Sequence, residues 1–317
     1  MALAAALLLL AAPAAAQRSH VDPATPDYRR VGGVAGNLDA IGSDTLNNLM
    51  TLWSETFRKL YPNVNVQVEG KGSSTAPPAL AEGTAQLGPM SRAMKPGEIE
   101  AFEQRHGYKP TRIVVALDAL AVFVNKDNPL TSLSLPQVDA IFSRNRRGGH
   151  PADIATWGDA GATGRWTRLP ISLYGRNSAS GTYGYFKEEA LFKGDFKATV
   201  KEQPGSSAVV QGVTADRAGI GYSGIGYRTS GVKAIALSRK TGGPAYAPTY
   251  DNVLAGSYPL GRPLYIYVAK PPGAPLPPLV AEFLRFVLSR PGQQVVEKDG
   301  YLPLSEKMAA GQRALLP

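Results

Sequence analysis

Cysteine is absent from the 317 residues, which excludes disulfides, thiolate nucleophiles, thiolate-held metals and a lipid anchor on a cysteine at a cleavage site. Histidine is scarce. His20, His106 and His150 are the only three, and no two share an H-x-x-x-H spacing, so they read as surface histidines rather than a metal site. No G-x-S-x-G elbow occurs, which leaves a Ser-His-Asp hydrolase with little support. Past the N-terminus, no apolar run is long enough to cross a bilayer. Acidic residues are outnumbered, 25 against 34 basic, for a net charge of +9. Such an excess steers anions toward the protein from a distance. The one dense basic cluster, Arg144-Asn-Arg146-Arg147, lies in a Gly-rich loop without interleaved aromatics, so no nucleic-acid partner is expected.

What is present begins with an address. Ala2 to Ala12 is apolar, and Pro13 and Ala14-Ala15-Ala16-Gln17 follow. The run is too short to span a membrane and ends in an A-x-A pattern, so a signal peptide cut after Ala16 is expected. The basic residue that normally precedes such a run is missing, so translation is expected to start upstream of Met1. The mature protein is expected in the periplasm or outside the cell. Residues 17–35 are polar, with Pro23, Pro26, Gly32 and Gly33, and read as a flexible leader.

The informative stretch is Gly175 to Tyr185, GRNSASGTYGY. It lies between an apolar run, Leu169 to Tyr174, that reads as a strand and a segment, Phe186 to Phe192, that reads as a helix. It holds the cation Arg176, the hydroxyls Ser178, Ser180 and Thr182, and Gly181. A glycine lets a ligand reach backbone N–H groups at a helix start, where the helix dipole favours an anion. The guanidinium of an arginine adds a two-pronged donor for an oxyanion. Helix capping alone would also explain the hydroxyls. The same strand, hydroxyl turn, helix unit recurs at Ser43-Asp44-Thr45 and at Ser73-Ser74-Thr75, each with glycine nearby. Three such turns argue for helix N-termini converging on one anion.

The rest of the chain supplies a framework. Leu46, Leu49, Met50, Trp53, Phe57 and Leu60 form one helical face, which Pro62 ends. Val64, Val66 and Val68 alternate as in a half-buried strand. A strand is predicted over 85–90, ending at Ser91-Arg92, then a helix over 95–105. The clearest strand signal is 112–124, broken near Asp118 and Ala119. A helix over 134–142 leads into a Gly-rich excursion, 143–168, with Trp157 and Trp166. Helix 206–214, strands 232–237 and 264–268, a loop at 245–261, a Pro-rich linker at 271–278 and a closing helix over 279–289 follow. The alternation predicts an α/β protein with a mostly parallel sheet and ligand loops at the strand C-termini. Gly219-x-Gly221-x-x-Gly224 matches a dinucleotide fingerprint, but Ile225 to Gly231 makes a poor helix start, so no cofactor is expected.

With these residues in hand, the chain resembles the phosphate-binding proteins of bacterial phosphate ABC transporters, over about residues 36–306. The carriers are Ile41 to Thr45, Gly70 to Thr75, Leu87 to Arg92, Arg176 to Thr182 and Gly219 to Tyr222, with Tyr258 to Ile266 and Gly300 to Leu304 also similar. The resemblance implies a two-lobed periplasmic binding protein type II fold with two hinge strands, Leu120 to Val124 and Leu264 to Val268. Lobe one would hold 36–118 plus 255–317, and lobe two 119–254. It implies a monomer that captures inorganic phosphate and delivers it to a membrane permease without chemistry. The implied ligand residues are Ser43, Asp44, Thr45, Ser73, Ser74, Thr75, Ser91, Arg92, Arg176, Ser178, Ser180, Gly181 and Thr182. This sequence departs from the family at two points. Arg92 stands where an Asp usually accepts the phosphate proton, and Ser178 where an Asp usually orients the arginine. Asp44 is the nearest carboxylate for a ligand proton, with helix capping as its other role. Sulfate, molybdate or a phosphate ester therefore stay open as the anion, as does a scavenger or sensor with no transporter.

Overall fold

The computed structural model describes residues 19–317, so the expected signal peptide lies outside the described residues. The first half runs β1 (Gly36–Ile41), α1 (Asn47–Leu60), β2 (Val64–Glu69), α2 (Ala76–Glu82), β3 (Gly88–Met90), α3 (Pro96–His106) and β4 (Thr111–Asn125). It continues with β5 (Ser132–Ser134), α4 (Leu135–Phe142), β6 (Ser172–Arg176), α5 (Gly181–Glu189), β7 (Lys201–Gln203), α6 (Ser206–Ala215), β8 (Gly219–Gly224), β9 (Val232–Ala234) and β10 (Ala236–Ser238). Then come α7 (Tyr250–Leu254), β11 (Gly261–Val268), α8 (Pro278–Val287), α9 (Arg290–Lys298) and α10 (Glu306–Arg313).

The expected helical face of α1 is real: Leu49, Met50, Trp53 and Phe57 are all fully buried. A side chain of that size stabilises by about 1.5–3 kcal/mol when it leaves water. α2 starts on Pro77 in its first turn and stops at Gly83, whose φ of 75° suits glycine.

The main sheet is mixed rather than mostly parallel. Its order is β3-β11-β4-β8-β6-β7, with β9 also on β4. β4 is antiparallel to β11, β8 and β9, and only the pairings of β6 with β7 and β8 are parallel in this sheet. The reason is β4 itself. Its residues 111–119 pair with β11, and its residues 120–125 pair with β8 and β9, so one strand serves both halves of the molecule and β11 runs back beside it. The expected break near Asp118 does not occur, because Asp118 is buried in the strand and ion-paired to Arg262. The fingerprint glycines are a strand, β8, not a phosphate loop. The stretch predicted as loop at 245–261 contains the short helix α7, capped by Thr249.

Residues 19–31 do not trail freely from the body. Ser19 Oγ donates to Glu297 at 2.7 Å, Thr25 is fully buried, and the Tyr28 hydroxyl donates to Glu282 at 2.7 Å. The Arg290 N–H donates to the Pro26 carbonyl at 2.9 Å. Composition suggested a flexible leader, but partners on α8 and α9, distant in sequence, hold it.

Candidate functional site

Four loops meet where β1, β2, β3 and β6 end. Ser43 follows β1 and caps the turn Asp44–Leu46, its Oγ accepting the Thr45 N–H. Ser73 sits in the turn before α2, and Ser91 follows β3. Ser180 caps α5, its Oγ accepting the N–H groups of Thr182 and Tyr183, which aims the start of α5 at the other three loops. The hydroxyls are in direct contact. Ser43 Oγ donates to Ser91 Oγ at 3.0 Å, Thr45 and Thr182 lie 2.8 Å apart, and Ser73 lies 3.3 Å from Ser91. All five of these residues are at least 98 % buried.

Gly181 is required by this packing. A Cβ there would stand 2.2 Å from Ser73 Oγ and 2.7 Å from Ser91 Oγ. Across the same gap, the Ser74 N–H donates to the Ala179 carbonyl at 3.1 Å, and Gly72, with φ of 124°, leaves room for that carbonyl.

Arg176 ends β6 and is 2 % exposed. Its guanidinium donates to Asp44 Oδ2 at 2.9 Å, to Ser206 Oγ at 2.8 Å and to the Pro204 carbonyl at 3.2 Å. Its Nε is buried and without a partner. Its backbone N–H donates to the Tyr222 hydroxyl at 3.1 Å, and Tyr222 stacks on Phe186 with centroids 3.9 Å apart. Burial holds the Tyr222 hydroxyl well above its ordinary pKa, so it stays neutral beside the arginine. Asp44 Oδ2 also accepts the Ser206 N–H at 2.7 Å, while its Oδ1 faces Gly205. Asp44 thus restrains Arg176, and among the described residues it makes no hydrogen bond to the clustered hydroxyls.

The structure therefore brings together Ser43, Thr45, Ser73, Ser91, Ser180, Gly181 and Thr182, with Asp44 and Arg176 beside them. Four expected residues stand apart. Ser178 is exposed. Thr75 turns its hydroxyl to the Gly72 carbonyl at 2.9 Å. Arg92 lies against Glu98 through two N–H contacts of 2.7 Å each, and it also donates to the Ala93 carbonyl at 2.9 Å and to Ser74 Oγ at 3.2 Å. Burial opposes ionisation of Glu98, but hydrogen bonds from Arg92 and the Lys95 N–H outweigh it and lower the pKa. Two planar groups that match this well hold the end of the Arg92 guanidinium on Glu98 rather than on the clustered hydroxyls.

Sequence reasoning missed Arg262 and Asp118. Arg262 donates from Nε and Nη2 to Asp118 Oδ2 at 2.9 and 2.8 Å, from Nη1 to the Ser91 carbonyl at 3.0 Å, and from Nη2 to Thr182 Oγ1 at 2.9 Å. It also lies over the Tyr185 ring at 5.2 Å, and burial raises the Tyr185 pKa to about 12. The available signal was a charged residue inside each of two apolar strands, since a buried charge needs a partner. A cavity of about 470 Å³ lined by Ser91, Arg262, Met94, Tyr185 and Tyr265 adjoins the cluster.

A mixed sheet in which one long strand serves both halves, with hydroxyl loops meeting at the strand ends, is the arrangement of the periplasmic binding protein class. A family model described as a PBP superfamily domain matches residues 29–291. A relative from Pseudomonas aeruginosa, described as phosphate-binding protein PstS, is 59% identical over 307 residues, 96% of this chain and 95% of that protein. Protein SphX of Synechococcus elongatus is 33% identical over 280 residues, 86% of this chain and 80% of that protein. Among solved structures, a phosphate ABC transporter substrate-binding protein of Clostridium perfringens, with bound phosphate, superposes at a TM-score of 0.72 and 25% identity, covering 85% of this chain and 100% of that chain. The chain belongs to the PstS family of phosphate-binding proteins within the PBP superfamily.

Proposed function

We propose that this chain captures inorganic phosphate between its two lobes and hands it to the membrane permease of a phosphate ABC transporter. The observation that carries the reading is the meeting of five buried hydroxyls, Ser43 and Thr45 from one loop and Ser73, Ser91 and Thr182 from three others, beside two arginines already held by carboxylates. Such a site meets the anion with donors fixed in place, so little ordering is left for binding to do. The phosphate in the Clostridium structure and the name of the Pseudomonas relative support the same ligand. The ligand residues are Ser43, Thr45, Ser73, Ser91, Arg176, Ser180, Gly181 and Thr182, with Asp44 orienting Arg176. The protein acts as a monomer in the periplasm, without turnover.

Lobe one is 36–118 plus 255–317 and lobe two is 119–254. The change of partner along β4 between Ala119 and Leu120 supports that boundary. A ligand bridging the lobes binds the closed form better, so small-angle scattering is expected to show a smaller radius with phosphate. Calorimetric titration of the mature chain with phosphate, sulfate and molybdate tests the reading. One phosphate bound per chain is expected, and no phosphate binding would overturn it. A specific observation keeps a second reading, another tetrahedral oxyanion: among the described residues no carboxylate is hydrogen-bonded to the clustered hydroxyls. Sulfate bound more tightly than phosphate would favour it.

A further inference from the structure

Phosphate and sulfate share a shape, and near neutral pH only phosphate keeps a proton. A cleft that prefers phosphate needs an acceptor for it, and the two nearest carboxylates face elsewhere. Asp44 Oδ2 takes both Arg176 and the Ser206 N–H and its Oδ1 faces Gly205, while Asp118 takes Arg262 and the Ile225 N–H. The acceptors that meet in the cluster itself are the hydroxyls.

Each hydroxyl carries one proton and two lone pairs, so each N–H or O–H that a hydroxyl takes leaves one lone pair fewer for a ligand proton. Ser43 Oγ takes the Thr45 N–H at 3.2 Å, and Ser73 Oγ takes the Ser91 N–H at 3.0 Å. Thr182 Oγ1 takes an Arg262 N–H at 2.9 Å, from a group that is never deprotonated. Among the described residues no N–H reaches Ser91 Oγ, but it receives the Ser43 proton at 3.0 Å and lies 3.3 Å from Ser73 Oγ and 3.5 Å from Thr182 Oγ1. Thr45 differs, because among the described residues its Oγ1 has a single hydrogen-bond partner, Thr182 Oγ1 at 2.8 Å. Thr45 is also fixed in place. It is 1 % exposed, and its carbonyl accepts the Tyr301 hydroxyl at 2.7 Å.

We propose that Thr45 reads the ligand proton: its hydroxyl oxygen accepts the P–OH of phosphate, the part a carboxylate would otherwise take. This rests on the phosphate reading above. Thr45 gives its own proton to Thr182 Oγ1, which has a second lone pair free beside the Arg262 contact. Thr182 passes its own proton to an ionised phosphate oxygen. Thr45 then turns bare lone pairs to the P–OH. Arg262 acts through Thr182 as a positioning residue, keeping that oxygen an acceptor. No bond is made or broken beyond these hydrogen bonds.

The test is calorimetry of the mature chain with phosphate and with sulfate, at one pH and salt. Thr45→Val keeps the shape and removes the acceptor. It is expected to weaken phosphate at least about tenfold more than sulfate, because the buried P–OH is left unmatched. Thr45→Ser restores the preference. Ser43→Ala removes the hydroxyl whose proton holds Ser91 Oγ in place and is expected to weaken both anions by a similar factor. Should Thr45→Val fail to fold, Thr45→Ala serves in its place. The proposal is overturned if the Thr45 variants and Ser43→Ala lower both anions alike, or if Asp44→Asn narrows the preference and the Thr45 variants do not. A wild-type chain that binds sulfate but not phosphate overturns the functional reading first, and this proposal with it.

Discussion

The Arg262–Asp118 pair offers the sharpest test of how the cleft is held together. The two side chains are 1% and 0% exposed, and the guanidinium makes contacts on β4, the Ser91 loop and α5. Replacing Arg262 with Met leaves Asp118 as a buried carboxylate whose remaining partner is the Ile225 N–H. Breaking one side of such a pair costs about 3–5 kcal/mol. In a chain of this size that lowers the melting temperature by on the order of 10 °C. Replacing Asp118 with Asn costs a similar amount, since Arg262 then lacks its counter-charge. The double variant has no stranded charge, so it is expected to cost clearly less than the two single losses together. Urea unfolding of the wild type, both single variants and the double gives the coupling, expected at about 2 kcal/mol or more. A coupling within about 0.5 kcal/mol of zero would refute the argument that each charge is tolerated only because of the other. The Arg262 variant is also expected to bind phosphate more weakly, because Thr182 loses its fixed donor.

Further outcomes follow from the same geometry. Arg176→Ala is expected to weaken phosphate binding by roughly a hundredfold or more, and Arg147→Ala, exposed and bonded to the Lys193 carbonyl, by almost nothing; equal small losses in titration would remove Arg176 from the site. Gly181→Ala drives a methyl into Ser73 and Ser91, so affinity is expected to fall at least about tenfold with the fold retained, and wild-type binding would exclude the hydroxyl cluster as the site. Burial pushes the Asp299 carboxyl from 3.8 up to about 7, and its Oδ2 has no partner. The folded chain keeps a proton that the unfolded chain has lost, so this group's contribution to stability falls as pH rises from 3.8 through about 7. Asp299→Asn is expected to raise the melting temperature, relative to wild type, more at pH above that window than below it, and a pH-independent difference would show that the carboxyl is not held protonated.

Much of the framework was legible in the sequence because its causes are short-range. The α1 face, the Ser180 cap and the Gly181 start of α5 are set by residues within one or two turns of each other. The hydroxyl turns could be recognised in sequence for the same reason, and five of their side chains do converge. Sheet direction was not legible, since β4 reads the same whichever way its neighbours run. Nor were the ion pairs. Asp44 and Arg176 are 132 residues apart, and Asp118 and Arg262 are 144 apart, so no local pattern joins them. Arg92, three residues from the cap Lys95, is drawn away to Glu98 by the start of α3, which only the folded chain places beside it. Residue types and spacing determined that an anion could be held. Which carboxylate restrains which arginine, and therefore which oxygen is left to accept a proton, was decided by tertiary structure, because a buried charge takes the partner that folding brings within hydrogen-bond reach.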